Sequence, residues 1–295
     1  MFSSIPAYFL PIILSALALG FYDICRKHAV KENSVLPVLF FSCLSGFIFY
    51  TGMSFFKGSL GGVFSPPYFS HYIYVLLKSI IVGASWVFGF YAMRELPITL
   101  AAPIRASAPL WTFLGSLLLY GEIPTLIQGL AMLIIFTGYY AFSILGKMEG
   151  FTFRHKGILL ILTATLLGAG AALFDKYLLN ILKIDRNFLQ FHFSMDLVVL
   201  TGLCLAIRQF FSKGIPFQWK WSIPATGILL IIADALYFYA VSLPEIHISI
   251  LSLVRRSSCV VAFLAGATLF RDVNVGKKAL ALLSILLGLL LLALF

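Results

Sequence analysis

Long apolar segments leave this sequence few possible folds. Ten runs of about 18–24 residues are separated by charged, Gly/Pro or Asn-containing breaks: 5–25, 35–55, 72–93, 98–119, 124–145, 157–179, 187–207, 221–242, 246–269 and 276–294. A helix of about 20 residues crosses the hydrocarbon core of a bilayer. With 61% hydrophobic and 11% charged residues, the chain has too little polar surface for a water-soluble fold. The runs predict an all-α integral membrane protein with ten transmembrane helices.

Composition and charge exclude several other classes. The first run lacks the basic region and the small-residue cleavage site of a signal peptide, so it is interpreted as a retained first helix. The net charge of +10 is assigned to the connectors, because no basic run with interleaved aromatic residues appears, and no nucleic-acid partner is expected. The four cysteines lack CxxC spacing, which predicts free thiols; neither a metal nor a cofactor is expected.

Two parts of the sequence resemble each other at an offset of about 150 residues. Residues 98–122 align with 246–272, which pairs Arg105 with Arg255. Further pairs at this offset are Gly20 with Gly170, Arg26 with Lys176, Ser107 with Ser257, Glu122 with Asp272 and Gly138 with Gly288. Each copy, 1–146 and 147–295, holds five runs, so the second enters the membrane from the opposite side. We expect two inverted five-helix repeats related by a pseudo-twofold axis in the membrane plane, as in many secondary transporters.

Lysine and arginine are divided unequally between the two sides of the predicted bundle. The odd-numbered connectors hold about thirteen of them and the even-numbered connectors about three. By the positive-inside rule the richer side is cytoplasmic, which places both termini outside.

Charged residues inside the apolar runs are functional candidates, because each costs about 2.5–3.5 kcal/mol to insert. The candidates form two groups according to the half of the membrane in which they lie, and the repeat symmetry maps one group onto the other. The group nearer the odd-numbered connectors is Asp23, Arg26, Tyr91 and Arg105, and the other group is Asp175, Lys176, Asp234, Tyr239, Arg255 and Arg256. Lys78, in the third run, has no partner that its spacing predicts. His192 and Asp196, four residues apart, predict a structural hydrogen-bonded pair.

The strongest candidates each have a structural and a functional interpretation. Arg105 lies about seven residues, or roughly 10 Å, into its run. It either pairs with Asp23 or with backbone carbonyls freed by a nearby proline, or it contacts an anionic substrate in a cavity. Asp234 either pairs with an arginine or serves a substrate amine or a coupling proton. Arg256 is a candidate partner of Asp175 or Asp234.

Two sets of residues follow from these interpretations. The predicted substrate-binding residues are Arg105, Arg255, Asp234, Trp86, Tyr91, Tyr237, Tyr239 and Ser252. The predicted gating or coupling residues are Asp23, Arg26, Asp175, Lys176 and Arg256. Instead of binding substrate, the aromatic residues of the first set could pack between helices or form a belt at the membrane interface. Instead of taking part in coupling, Lys176 could extend its charged end to the membrane surface. Asp23 and Arg26, at i,i+3 spacing, alternatively pair only with each other near a helix end.

Two matching segments carry a family resemblance: RASAPLWTFLGSLLLYGEIPTLIQGLAMLIIFTGYY and RRSSCVVAFLAGATLFRDVNVGKKALALLSILLGLL. Each is preceded by FYA and contains a small-residue helix, an acidic turn and a glycine-bearing helix. The chain thereby resembles the drug/metabolite transporter superfamily, EamA type, as two five-helix repeats. Glu122 and Asp272 stand at its recurrent acidic positions; its usual proline is present as Pro109, whereas the second copy has Cys259. The resemblance implies a carrier of small metabolites with a central cavity, and cytoplasmic termini, opposite to the charge rule.

These observations predict a secondary transporter that works by alternating access in a lipid bilayer. We expect export or exchange of a small polar metabolite, anionic or zwitterionic, such as an amino acid, with protons as a candidate coupling ion. The alternative is a lipid or lipid-linked sugar flippase. No DxxxD, DDxxD or GxSxG motif occurs, so an enzyme is not expected. The expected setting is the bacterial inner membrane, as a monomer or a weak dimer.

Overall fold

The computed structural model describes most of the chain as helix. It covers residues 9–56, 58, 68–105, 107–121, 125–148, 154–211, 216–243, 251, 254–255, 258–269 and 274–294. No strand occurs among these residues. Ser252, Arg256, Glu122 and Asp272 lie outside them, so the roles predicted for these four residues stay predictions.

Eleven α-helices follow one another along the described residues. They are α1 (Phe9–Val30), α2 (Val35–Phe56), α3 (Ser70–Glu95), α4 (Ile98–Arg105), α5 (Ala108–Tyr120), α6 (Leu126–Met148), α7 (Lys156–Lys176), α8 (Arg186–Phe211), α9 (Ser222–Val241), α10 (Ser258–Thr268) and α11 (Val275–Leu294). A π-helical turn, Tyr177–Ile181, continues α7. The prediction of an all-α protein is confirmed.

Helix length and hydropathy fit a membrane protein. Five helices, α2, α3, α7 with its π turn, α8 and α9, are long and apolar enough to cross a bilayer, with mean hydropathy of 1.6–2.2. Their apolar lengths of 20–26 residues correspond to roughly 30–39 Å of helix. Helices α1, α6 and α11 have 22, 23 and 20 residues. The prediction of a multi-pass membrane protein is confirmed, whereas the count of ten spans and the inverted arrangement stay predictions.

The fourth apolar run forms two helices rather than the predicted continuous helix over 98–119. Helix α4 ends at Arg105 and α5 begins at Ala108. The hydrogen-bond ladder stops here because Pro109 has no N–H to donate to the Arg105 carbonyl. Instead, the backbone N–H and the hydroxyl of Ser107 both donate to the Ile104 carbonyl, at 3.1 and 2.7 Å. The break places Arg105 at a helix end inside the bundle.

Glycine allows α2 and α9 to cross in close contact. A Cβ added to Gly46 on α2 would lie 2.9 Å from the Gly227 carbonyl on α9, and a Cβ on Gly227 would overlap the Ser42 carbonyl. The Ser42 hydroxyl donates to the Ile223 carbonyl across the same contact, at 3.0 Å. Small residues permit this approach of two backbones. Around it, buried apolar side chains from both halves of the chain form one large core.

Two ends of the bundle are distinguished by the helix termini that meet there. At end A, α1 and α3 finish close together, and Lys27 Nζ donates to the carbonyls of Met93 and Leu96 at 2.8 and 2.6 Å. At end B, α7 and α9 finish close together, and Asn180 Nδ2 donates to the Val241 carbonyl at 3.0 Å. Each end is therefore fastened by a side chain that bonds to the backbone of a neighbouring helix.

Candidate functional site

A cavity of about 120 Å³ lies at the centre of the bundle. Its lining comes from both halves of the chain, including α1, α3, α7, α8 and α9. The charged residues among its described lining are Arg26, Lys78, Arg105, Asp175, Asp234 and Arg255. Since buried charges in a membrane protein are costly, six of them around one cavity make it the candidate functional site.

Four residues form an arginine cluster nearer end A: Tyr22, Asp23 and Arg26 of α1 and Arg105 of α4. Asp23 and Arg26 are three residues apart and so share a helix face. Arg26 Nη2 lies 2.8 Å from Asp23 Oδ1, and Arg105 Nη1 donates to the same oxygen. Arg26 Nη1 donates to the Tyr22 hydroxyl at 3.1 Å. One buried carboxylate therefore forms ion pairs with two guanidinium groups.

Four further residues form a lysine cluster nearer end B: Lys78 of α3, Asp175 of α7, Asp234 of α9 and Arg255. Lys78 Nζ lies 2.6 Å from Asp175 Oδ1, with only 1% of the lysine side chain exposed. Arg255 Nη2 donates to Asp234 Oδ1. Asp234 and Arg255 also act electrostatically on Lys78, so the two ion pairs belong to one cluster.

Aromatic rings cover the cations of the lysine cluster. Lys78 Nζ lies 4.3 Å from the ring centroid of Phe193 and 3.9 Å from that of Phe238. The guanidinium of Arg255 lies 4.2 Å from the ring centroid of Tyr237. The negative face of an aromatic ring attracts a cation, most strongly where water is excluded. These rings therefore add cation–π contacts to the ion pairs of both basic side chains.

The two clusters differ in net charge. The arginine cluster has two cations, Arg26 and Arg105, for the single carboxylate of Asp23. The lysine cluster has two cations for two carboxylates. Counted over the described residues of both clusters, the cavity carries one positive charge in excess, and that charge lies at the arginine cluster.

Most residues predicted to bind substrate or to couple transport lie at this cavity. Its described lining includes Arg105, Arg255, Asp234, Trp86 and Tyr237 from the first set and Arg26 and Asp175 from the second. Asp23 lies behind Arg26 and Arg105 as their shared partner. The structural alternatives for Arg105 and Asp234, an ion pair with Asp23 and with an arginine, are both present. A role in binding or coupling stays a prediction for all of these residues.

Besides Asp23, three described residues of the predicted sets are not part of the cavity lining: Tyr91, Tyr239 and Lys176. The Tyr91 ring packs against the Arg94 guanidinium, 5.3 Å from its centroid. Tyr239 is 37% exposed and faces Arg186, whose guanidinium lies 4.8 Å from the ring centroid. Lys176 follows Asp175 at the end of α7. Substrate binding by the two tyrosines and coupling by Lys176 stay predictions.

Sequence reasoning missed several cavity residues, above all the partner of Lys78. The single lysine in an apolar run was a visible signal, but Asp175 lies on another helix and far along the chain, where no spacing rule connects the two. Tyr22 and Phe193 also line the cavity, and nothing in the sequence distinguishes them from the other aromatic residues.

The polar pair predicted on the seventh run lies outside the described cavity lining. Asp196 Oδ2 accepts a hydrogen bond from the Ser79 hydroxyl at 2.9 Å. His192 packs against Tyr72 and Phe188, with ring centroids 4.9 and 4.4 Å apart. These contacts connect α8 to α3, and the hydrogen bond predicted between His192 and Asp196 stays a prediction.

Long apolar helices around a cavity with charged walls define a multi-pass integral membrane protein that can hold a polar solute in its interior. Residues 7–144 match the model of the EamA-like transporter family. This segment is therefore similar to EamA-like transporters, and the predicted resemblance to drug/metabolite transporters is confirmed.

The overall fold also has a known counterpart. A solved structure described as "Crystal structure of protein" has a TM-score of 0.73 and 16% sequence identity to this chain. The likeness covers 99% of this chain and 98% of the other. At this identity it shows a shared fold alone. The comparison with curated proteins gave no match.

Proposed function

We propose that the chain is a ten-helix secondary transporter that exports or exchanges a small polar metabolite, anionic or zwitterionic, by alternating access. One observation carries the proposal: a central cavity is lined by charged residues from both halves of the chain, among them Arg105 and Arg255. A guanidinium offers a planar fork to carboxylate or phosphate. Amino acids are the simplest solutes of this class, and the bacterial inner membrane is the proposed setting.

The packing of the helices supports two inverted repeats. Helix α1 packs on α9, and α3 packs on α7. The repeat matches α1 with α7 and α3 with α9, so exchanging the two halves of the chain converts each of these pairs into the other. Helix α6 packs on α11, a pair that maps onto itself. In that pair Gly138 faces the Ala281 carbonyl and Gly288 faces the Ala131 carbonyl. A pseudo-twofold axis requires this kind of exchange.

The fastenings at the two ends fit alternating access. Lys27 bonds to the end of α3 at end A, and Asn180 bonds to the end of α9 at end B. The same exchange of halves relates the two acceptor carbonyls, since Met93 and Val241 occupy matching positions in the third and eighth runs. The two donors lie at different positions just after the matching first and sixth runs. In a transporter of this class one repeat rocks against the other around a fixed central site. The hydrogen bonds at one end of the bundle then break when that end opens, while those at the other end stay formed.

Cavity size favours a metabolite over a lipid-linked substrate. A dry cavity of about 150 Å³ in another protein admits one benzene molecule. The 120 Å³ cavity of this chain therefore suits a solute with few carbon atoms. A lipid-linked sugar is much larger, so the flippase alternative lacks support from this cavity.

Transport assays on arginine variants test the proposal. The purified protein is reconstituted into liposomes, and exchange of radiolabelled amino acids and organic acids is measured with wild type, Arg105→Ala, Arg255→Ala and the double variant. Loss of a charge-assisted hydrogen bond is worth about 1.5–3 kcal/mol, so each single variant is expected to need at least roughly tenfold more solute. Arg154→Ala, at an exposed arginine, is the control. Unchanged exchange by both single variants would contradict the assignment of these arginines.

A further inference from the structure

We infer that the transported solute is a monocarboxylate with a small apolar body, bound through its carboxylate by Arg26 together with Arg105, and that a free amino group on the solute weakens binding. The inference rests on the proposed transport function and narrows its substrate class. It also moves Arg26 from the gating set to the anion site.

The first argument is the unused hydrogen-bonding capacity of Arg26. Its side chain is 2% exposed and lines the cavity. A guanidinium has five N–H donors. Among the described residues, Nη1 bonds to Tyr22 and Nη2 is paired with Asp23 at 2.8 Å, whereas Nε has no hydrogen-bond acceptor. Leaving that donor unsatisfied in a buried site is costly, and a solute carboxylate beside Arg26 would add acceptor oxygens to the site.

The second argument is charge balance. Asp23 is shared between Arg26 and Arg105, which leaves the arginine cluster with one positive charge in excess. One carboxylate neutralises it. Both carboxylates of the lysine cluster, Asp175 and Asp234, already have a cation of the protein as partner. An ammonium group on the solute would meet no unoccupied carboxylate there and would restore the positive excess, so a monoanion fits better than a zwitterion.

The third argument is the apolar surface next to Arg26. Its guanidinium lies 5.4 Å from the Phe90 ring centroid. Phe90 also lines a smaller apolar pocket of about 20 Å³, which shares Trp86, Phe193 and Leu230 with the central cavity. A solute whose carboxylate contacts Arg26 can therefore place a short alkyl group against these shared side chains. The small volumes limit that group to a few carbons.

Four probes with one carbon skeleton test the class of solute. They are 4-methylpentanoate, leucine, 4-methylpentylamine and 4-methylpentanamide, and each is measured for thermal stabilisation of the wild-type protein in detergent and for exchange in liposomes. A ligand that binds only the folded state raises the midpoint of unfolding. We expect 4-methylpentanoate to stabilise the protein and to be exchanged at least tenfold more effectively than the other three. Leucine or the amine performing as well as 4-methylpentanoate overturns the inference.

Two substitutions test the residue. Arg26→Gln keeps polarity but removes the charge and the fork, and Arg26→Lys keeps the charge alone. We expect the half-saturating concentration of 4-methylpentanoate to rise at least tenfold in Arg26→Gln and by a smaller factor in Arg26→Lys. Arg154→Gln makes the same chemical change at an exposed arginine and is the control. An unchanged concentration in both Arg26 variants overturns the assignment, and the wild-type probe series decides the class even if Arg26→Gln fails to fold.

The outcomes separate this inference from the proposed function. If amino acids are exchanged and 4-methylpentanoate is not, the inference is wrong and the transport function stands. If none of the amino acids and organic acids is exchanged, the proposed function itself is wrong.

Discussion

At the scale of single residues, the ion pair between Lys78 and Asp175 makes a direct prediction about stability. Both side chains are almost fully buried. Removing one member of a buried pair leaves an unpaired charge and costs about 3–5 kcal/mol, whereas replacing both by apolar residues is often neutral. We expect Lys78→Met to lower the unfolding midpoint of the detergent-solubilised protein strongly, measured by the fluorescence of a thiol-reactive dye.

The double variant Lys78→Met/Asp175→Leu is the matched control. It is expected to recover most of the lost stability, because no charge is left without a partner. Equal instability of the single and the double variant would mean that the two residues do not stabilise each other.

The sequence predicted some of these residue contacts and not others, for a physical reason. The sequence indicated Asp23 as a candidate partner of Arg105, because a charged residue inside an apolar run needs a partner. The sharing of Asp23 by Arg26 and Arg105 was not predictable, because it depends on a second arginine from another helix bonding to the same carboxylate oxygen. Such sharing is decided by helix packing rather than by spacing along the chain.

At the scale of helices, the crossing of α2 and α9 predicts which glycines accept a methyl group. Gly227→Ala would place its Cβ against the Ser42 carbonyl, which is backbone and cannot move aside. Forcing an extra methyl group into a packed contact costs typically about 1–3 kcal/mol. We expect a lower unfolding midpoint for Gly227→Ala in the same dye assay.

Gly170→Ala is the matched control for this crossing. A Cβ added to Gly170, in α7, meets no atom within 4 Å. Alanine also favours a helix over glycine by about 1 kcal/mol. The control is therefore expected to be neutral or slightly more stable. A loss of stability as large as that of Gly227→Ala would contradict the role of the crossing.

Helix existence was easier to predict than helix continuity. The second and third runs, 35–55 and 72–93, correspond to α2 and α3 within a few residues at each end. The break after Arg105 was not predicted, because proline is common at helix starts and its presence alone does not locate the start. The π-helical turn after α7 leaves the apolar pattern intact and gave no signal in the sequence.

At the scale of the whole molecule, the fastenings at ends A and B predict opposite effects on access to the cavity. Lys27→Met removes the bonds between α1 and α3, and Asn180→Leu removes the bond between α7 and α9. In a protein without its native cysteines, a single Ser85→Cys probe in the cavity wall reports access through its labelling by a membrane-impermeant maleimide. We expect Lys27→Met to increase labelling from the side of end A and Asn180→Leu from the side of end B.

Two exposed residues provide controls for this experiment. Lys31→Met and Asn187→Leu make the same changes near end A and end B without removing a side-chain bond between helices. Both are expected to leave labelling unchanged. If Lys27→Met and Asn180→Leu increase labelling from the same side, alternating access by these two fastenings is wrong.

The general architecture was predictable because the composition permits little else. A chain with this many apolar residues satisfies its backbone in a membrane by forming helices. The internal repeat pairs Arg105 with Arg255, and on this basis the sequence predicted that both face a shared cavity, whose lining includes them. The unequal charge of the two clusters was not predicted, because the repeat implies equal copies and the difference arises from Asp175 and Asp234, which have no acidic counterpart in the first half.

The excess positive charge at the arginine cluster has an electrical consequence. The fixed cation neutralises a monoanion while it is bound, yet the solute itself still carries one charge across the full thickness of the membrane. A voltage of 100 mV, negative inside, acts on one elementary charge with about 2.3 kcal/mol. That corresponds to a concentration ratio of roughly fifty. An energised membrane would therefore drive net export of such an anion without an ion gradient, and each net export step would register as a current, whereas one-for-one exchange would not.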